Sequence, residues 1–232
     1  MMNAKKRLLI MLIHTNHWLN EYFKPRKNGT AHFEITSEII CHHAEMEKHQ
    51  FDGITEADAK QIEDNEAVID YLTDAISDFL VKLNVREMSD RDAQYVNRVF
   101  QTLSDLERIG DYAEQLLHLT ERQEEKQVSY SAAAMQELTV INDNATQLFE
   151  KAVAAFYRQN ISLDELKRMA KTQRNIRKLT SQSQLNHMER LRKGECGVEA
   201  GILFGEILNS LSRVGGHSIN IAEAATVPHG ME

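Results

Sequence analysis

The stretch DLERIGDY, Asp105 to Tyr112, returns about a hundred residues later as LSRVGGHS, Leu211 to Ser218. Both copies share the frame Leu-x-Arg-[Ile/Val]-Gly, and Arg108 and Arg213 stand 105 positions apart. The later copy lacks the Glu and Asp that flank Arg-Ile-Gly in the earlier one. A phrase that recurs at a fixed separation indicates an internal repeat.

A second alignment, of Ile69 with Ile176, gives a nearly equal separation of 107 positions. The agreement favours two tandem three-helix units over one bundle of six unrelated helices. We therefore predict an all-α fold of two tandem antiparallel three-helix bundles with an extra N-terminal helix. The predicted parts are an extension over residues 1–30, a first unit over 31–126 and a second unit over 127–227.

Composition supports a helical, globular chain. Only two prolines, Pro25 and Pro228, occur among 232 residues, and both lie near an end. The long stretch between them therefore lacks the strongest helix breaker. The chain is 42% hydrophobic and 27% charged, which is ordinary for a globular protein.

The net charge of −8 is unevenly distributed. Residues 1–30 contain six Lys or Arg and one acid, so the remainder of the chain is strongly acidic. An acidic body repels a phosphate backbone, which excludes nucleic acid as the expected partner, whereas metal ions and basic protein surfaces are attracted. The basic start predicts contact with an anionic membrane surface.

The cysteines and the N-terminal stretch indicate a cytoplasmic protein. Cys41 and Cys196 are far apart and no secretory signal is recognisable, so we expect reduced thiols. The apolar run from Leu8 to Ile13 is too short to span a bilayer. We interpret Lys5 to Tyr22 as an amphipathic helix that packs on a partner, a membrane surface or the bundle.

Capping boxes mark three helix starts, at Thr55, Ser89 and Ser162. Apolar residues recur at three- and four-residue steps after the first two, and this spacing predicts one buried stripe on each helix. Another helix is expected to end near Gln50. The charged stretch from Glu121 to Ser131 is interpreted as a solvated joint, followed by helices near 132–159, 162–193 and 197–227.

Four acids in the first unit are candidate metal ligands. Glu66 and Asp70, and likewise Glu107 and Asp111, are four positions apart and so share a helix face. Glu107 and Asp111 also lie beside the apolar stripe, where a carboxylate needs a partner. Two such pairs on neighbouring helices would supply oxygen donors for a cation. The alternative is a solvated face on which Arg108 pairs with Glu107 or Asp111.

The repeat bears on this choice, because all four acids are replaced together in the second unit. By the two alignments, Gln173, Arg177, Ser212 and Gly216 occupy the corresponding positions. Joint replacement indicates that the four acids form one group.

Other motifs carry less chemistry. His14 with His17, and Cys41 to His43, contain metal-binding residue types but lack a second pair at ligand spacing, so we assign them surface or packing roles. Gly197, Gly201 and Gly205 form a strip where another helix could approach closely. No catalytic set can be argued from position, so we expect that the protein is not an enzyme.

Two longer stretches resemble the PhoU family of phosphate-homeostasis proteins: LSDLERIGDYAEQL in the first unit, and HMERLRKGECGVEAGILFGEILNSLSRVGGHSINIAEAA in the second. The run from His187 to Cys196 most resembles the PhoU-like domain at the C-terminal end of bacterial sodium/phosphate cotransporters. The resemblance covers about residues 31 to 226.

The resemblance implies two three-helix bundles and a regulatory role in phosphate transport at the cytoplasmic face of the membrane. The implied partners are a phosphate transporter, a sensor kinase or both, and a homo-oligomer is left open. Family members bind metal clusters through Glu/Asp-x-x-x-Asp motifs. That pattern maps onto Glu66 to Asp70 and Glu107 to Asp111, and implies one site for a divalent or transition metal ion such as iron or zinc.

Overall fold

The structure, a computed structural model, describes residues 56–84, 90–158 and 160–226. These residues form five α-helices and no strand, which confirms the all-helical prediction. The helices are α1 (Glu56–Asn84), α2 (Asp90–Glu125), α3 (Ala132–Arg158), α4 (Leu163–Arg192) and α5 (Val198–Ala224). The predicted N-terminal helices, the histidines and cysteine before residue 50, and the caps at Thr55 and Ser89 lie outside the described residues.

The predicted helix starts in the second unit agree with the structure to within one residue. Ser162 caps α4 as expected, because its side-chain oxygen accepts a hydrogen bond from the Glu165 amide at 3.1 Å. At the other end of α4, Gly194 adopts a left-handed φ of 71°. The amides of Gly194 and Glu195 then bond back to Leu191 and Arg190, which closes the helix.

The predicted joint from Glu121 to Ser131 is wrong in its first half, because α2 continues to Glu125. Its charged residues are good helix formers, and His118 pairs with Glu121 at 3.1 Å across one turn. The helix ends at Glu125, and Gln127, two residues later, has a left-handed φ of 51°. The amides of Gln127 and Val128 bond back to Glu124 and Gln123, the same closure that glycine provides in α4.

The apolar stripes form one continuous core from α1 to α5. The described stripe residues of α1 and α2 are buried or partly buried, as their spacing predicts. Helix α5 lies at the centre and packs against α2, α3 and α4, while α1 packs against α2. The described parts of the two units therefore share a core.

The glycine strip of α5 serves close packing at one position only. A Cβ atom at Gly201 would meet the side chains of Leu191 and His187, so α4 approaches closely there. At Gly197 and Gly205 a Cβ atom would meet nothing within 4 Å. The prediction of a continuous packing strip is therefore wrong for these two glycines within the described chain.

The two copies of the repeated phrase face each other across the antiparallel contact between α2 and α5. Asp105 accepts a hydrogen bond from Asn220 at 2.9 Å, and the Ser210 hydroxyl lies 3.2 Å from the side-chain oxygen of Gln115. Ser210 is the counterpart of Asp105, and Asn220 is the counterpart of Gln115, each 105 positions later. The duplication seen in the sequence is thus a local two-fold relation between α2 and α5.

Candidate functional site

The four candidate acids lie on the two packed helices α1 and α2, but in different environments. Glu66 is buried, with 7% of its surface exposed, whereas Asp70, one turn later on α1, is exposed. On α2, Glu107 and Asp111 are half-buried. Only one member of the group is therefore withdrawn from solvent.

Gly110 explains how a charged side chain reaches this buried position. A Cβ atom built on Gly110 would collide with the carboxyl oxygen Oε2 of Glu66. The missing side chain lets the Glu66 carboxyl group lie directly against the α2 backbone, within the repeated phrase itself. Glu66 thus contacts the segment that carries Glu107 and Asp111.

The electrostatics of Glu66 show that the acids act on one another. Burial is the largest cause that raises its pKa, and the total effect takes the pKa from 4.5 to about 7. The further contributions are the negative charges of Asp70, Asp111, Glu114 and Glu107, in that order. The negative charges of the three other predicted acids therefore lie near enough to act on the Glu66 carboxyl group.

Sequence reasoning missed Glu114. It lies seven positions after Glu107 and three after Asp111, so all three fall along one face of α2. That spacing could have been read from the sequence. The burial of Glu66 could not, because it depends on how closely α1 approaches Gly110.

Arg108 places a positive charge beside the acids on α2. Its guanidinium donates to the Asp111 carboxylate at 3.1 Å, and the Arg108 and Asp111 side chains are 58% and 41% exposed. This is the ion pair that the alternative interpretation expects, and exposed pairs of this kind contribute little stability. Within the described chain, no hydrogen bond or ion pair joins Arg108 to Glu66.

The chemistry of this donor set suits a metal cation, because it offers carboxylate oxygens from two adjacent helices around a buried acid. In the geometry that the described residues adopt, however, no group of three or more His, Cys, Asp or Glu side chains is close enough to hold a metal ion. Metal ligation by Glu66, Asp70, Glu107 and Asp111 therefore stays a prediction.

The second unit has a different arrangement at the corresponding positions. Gln173, the counterpart of Glu66, is also buried, and its side-chain nitrogen has no hydrogen-bond partner. Arg177, the counterpart of Asp70, is exposed, and a Cβ atom at Gly216 would meet nothing within 4 Å. The second unit keeps the buried polar position but has no carboxylate at any of the four.

A second polar cluster, also missed from the sequence, lies at the turn between α4 and α5. The buried ring of His187 stacks on Phe204 with the centroids 4.7 Å apart, and its Nε2 lies 3.6 Å from the Cys196 sulfur. Burial is the main cause that lowers the pKa of His187, and the Arg190 charge adds to it. A neutral imidazole can accept the thiol proton in a hydrogen bond, which holds the turn against α4.

Arg190 completes this cluster. Its guanidinium forms two hydrogen bonds with the Glu137 carboxylate, at 2.8 and 3.2 Å, and lies 5.5 Å from the Phe204 ring centroid. Paired, partly buried ions of this type join α3 to α4. The cluster is a structural contact of the second unit.

These features define a duplicated, all-helical protein in which, among the described residues, a buried glutamate surrounded by other acids lies in the first unit. The PhoU domain family matches residues 46–120 and 138–225, which cover both copies of the repeated phrase. The chain belongs to the PhoU family.

Two solved structures have a similar fold. The crystal structure of PhoU from Pseudomonas aeruginosa has a TM-score of 0.73 and 17% sequence identity, and the match covers 94% of this chain and 96% of that one. The phosphate transport system regulatory protein PhoU from Streptococcus pneumoniae has a TM-score of 0.68 and 16% identity, covering 94% and 93%. No curated protein gives a significant match. In the described residues, no helix is long and apolar enough to cross a membrane.

Proposed function

We propose that this protein regulates phosphate transport or phosphate signalling by binding other proteins. Membership of the PhoU family supports the proposal, and the Streptococcus pneumoniae relative is described as a phosphate transport system regulatory protein. Binding rather than bond-making is its chemistry, with a phosphate transporter or a sensor kinase as the partner. It would act at the cytoplasmic face of the membrane, where residues 1–30 add a basic contact surface.

We further propose that the acids of the first unit hold a divalent or transition metal ion. The observation that carries this step is the buried carboxyl group of Glu66, which lies against Gly110 among four other acids. Glu66 and Asp70 would bind from α1, and Glu107 and Asp111 from α2. A bound cation would neutralise their repulsion and fix the distance between the two helices. Asp111 would then bind the cation in place of Arg108.

Metal analysis of the purified protein tests this site. Wild type, loaded with iron or zinc and desalted, is compared with a Glu107→Gln/Asp111→Asn variant and with an Asp143→Asn/Glu150→Gln control. The control removes the same charge from exposed acids on α3. We expect retained metal in wild type and control and a large loss in the site variant. Equal, negligible metal in all three proteins would eliminate the metal site.

A co-purification experiment tests the partner separately. The tagged chain is recovered from cells after mild detergent extraction, and the retained phosphate transporter and sensor kinase are measured by immunoblot. Retention of either one supports the regulatory role, with or without metal. If the folded protein retains neither, the proposal of a phosphate regulator is wrong.

A second candidate function is a structural or oligomerising adaptor without metal. The Arg108–Asp111 ion pair favours it, because this pair already gives one acid of the group a partner. For this candidate, metal would not change stability, whereas a metal site predicts a higher melting temperature in the presence of the ion. Thermal unfolding with and without iron or zinc, in wild type and the Glu107→Gln/Asp111→Asn variant, separates the two.

A further inference from the structure

Helix α4 carries a strong positive charge, although the chain as a whole has a net charge of −8. It contains eight Lys or Arg against three Asp or Glu. Its counterpart in the first unit, α1, has the opposite balance, with eight acids and two lysines. The two units therefore present surfaces of opposite charge.

Six of the cations on α4 lie within twelve consecutive residues, and all six are exposed: Lys167, Arg168, Lys171, Arg174, Arg177 and Lys178. Four of them, at positions 167, 171, 174 and 178, follow helical spacing and fall within an arc of about 60°. We call these four the basic stripe. Within the described chain, Lys167 alone of the six forms an ion pair, with Asp164 at 3.9 Å. The rest of this charge is directed to solvent.

Large apolar side chains lie exposed at both ends of the basic stripe. Leu163 precedes Lys167 by one helical turn, and Leu185 follows on the same line of the helix. They are 58% and 60% exposed. Met188, one turn further, is 66% exposed, and Val198 and Ile202 are exposed just beyond the turn into α5. The face thus combines cations with apolar groups that can insert.

We propose that the exposed face of α4 binds an anionic lipid bilayer surface. Lys and Arg near a membrane are attracted to acidic headgroups, and exposed Leu and Met beside them can enter the headgroup boundary. This surface is distinct from the predicted membrane contact of residues 1–30 and does not depend on the metal site.

The apolar groups favour a lipid surface over the other negatively charged occupant that this chain itself offers. A second copy could dock its acidic α1 on the basic stripe, but exposed charge pairs contribute little without apolar contact. Among the described residues of α1, the exposed large apolar side chains are Tyr71 and Val81, fewer than those that accompany the basic stripe. A bilayer can receive both the cations and the apolar groups of α4.

Vesicle co-sedimentation of the full chain provides the test. Vesicles of phosphatidylcholine alone are compared with vesicles of phosphatidylcholine mixed with phosphatidylglycerol, at low and high salt.

Three variants, each lacking four positive charges, are measured beside wild type. The basic stripe variant is Lys167→Gln/Lys171→Gln/Arg174→Gln/Lys178→Gln. The control is Lys60→Gln/Lys82→Gln/Lys126→Gln/Lys151→Gln, and the N-terminal variant is Lys5→Gln/Lys6→Gln/Arg7→Gln/Lys24→Gln.

We expect wild type to bind only the vesicles with phosphatidylglycerol and to release them at high salt. The basic stripe variant should lose about five-fold in partitioning per charge, more than about 100-fold in total. The control should bind within a few-fold of wild type. A Leu185→Ser/Met188→Ser variant, which keeps every charge, should also bind several-fold more weakly. Circular dichroism verifies that each variant is folded.

Three results would overturn the proposal. Folded wild type could fail to bind anionic vesicles, or the basic stripe variant could lose no more binding than the control. The loss could also be confined to the N-terminal variant, which would assign membrane contact to residues 1–30 alone. Salt-sensitive self-association in analytical ultracentrifugation, without vesicle binding, would assign the stripe to a second copy instead.

Discussion

Glu66 carries a carboxyl group that is buried against α2 and surrounded by other acids. Its pKa in the folded protein, about 7, exceeds the ordinary 4.5, so the folded state keeps this proton to a higher pH than the unfolded state. The stability that this proton provides is fully present below the ordinary pKa and is lost as the pH rises to about 7. In the absence of metal, the site therefore destabilises the protein at neutral and basic pH.

Replacing Glu66 by Gln should remove this pH dependence. Without metal, we expect Glu66→Gln to be more stable than wild type at about pH 8 by about 1–2 kcal/mol, after allowance for solvent screening, and nearly equal at about pH 4. Urea unfolding in the presence of a chelator measures both values. Glu63→Gln, which neutralises an exposed acid one turn earlier, is the control and should show no such change. A wild type whose stability is the same at both pH values would contradict the argument.

A side chain at Gly110 would displace the Glu66 carboxyl group. Gly110→Ala places a methyl group where the Glu66 carboxyl oxygen lies, so the end of that side chain must move out of its buried position, and we expect a loss of up to about 1 kcal/mol. Gly216→Ala, also inside a helix but with open space around it, should instead stabilise the protein by about 0.5–1 kcal/mol. Thermal unfolding compares them. If the collision is the cause, Glu66→Ala should recover much of the loss in a double variant.

At the scale of single residues, the sequence predicts which acids belong together but not how they differ. The four-residue spacings and the joint replacement in the second unit identify Glu66, Asp70, Glu107 and Asp111. The spacing gives no reason to expect different environments for Glu66 and Asp70, yet Glu66 is buried and Asp70 is exposed. That difference arises because α1 approaches α2 closely at Gly110. The periodicity of the sequence carries no information about this interhelical distance.

At the scale of elements, the two left-handed residues that close α2 and α4 provide a matched pair. Gln127 adopts the conformation that Gly194 adopts more readily, because a side chain with a Cβ is strained at positive φ. We expect Gln127→Gly to stabilise the protein by about 1 kcal/mol and Gly194→Ala to destabilise it by a similar amount. Melting temperatures of both variants test this. A lower melting temperature for Gln127→Gly would show that the Gln127 side chain makes a compensating contact.

Helix starts and apolar stripes are more predictable from this sequence than helix ends. Ser162 is a cap that can be recognised from its sequence, and apolar periodicity marks the buried faces of α1 and α2. The left-handed position after α2 is occupied by Gln127, whereas a glycine there would have predicted the end of the helix. Its position follows from backbone geometry and hydrogen bonds, which the charged sequence before it does not indicate.

At the scale of the whole molecule, duplication supplied one scaffold whose two halves have diverged in charge. The shared core and the facing phrases of α2 and α5 maintain the packing, while α1 and α4 carry acidic and basic surfaces respectively. Core positions keep their apolar character in both units because they pack together, whereas exposed positions can change charge freely. The sequence alignment alone therefore predicts the duplication, and the structure adds that the two motif copies contact each other.

The contact between the copies should contribute to the stability of the whole protein. The Asp105 carboxylate accepts hydrogen bonds from His217 at 2.8 Å and from Asn220 at 2.9 Å, and its side chain is 14% exposed. Asp105→Ala leaves the partly buried His217 donor without its acceptor and removes the exposed hydrogen bond from Asn220, so we expect a loss of about 1–2 kcal/mol in urea unfolding. Ser104→Ala, on the exposed side of the same turn, should change stability by less than about 0.5 kcal/mol.

Because the described core is continuous across both units, the loss should appear as a shift of one unfolding transition. Far-ultraviolet circular dichroism, which reports all helices, and tyrosine fluorescence, to which Tyr112 beside His217 contributes, should give coincident curves. Separate transitions in Asp105→Ala but not in wild type would mean that this contact alone couples the units. Unchanged stability would mean that apolar packing between α2 and α5 suffices to hold the two copies together.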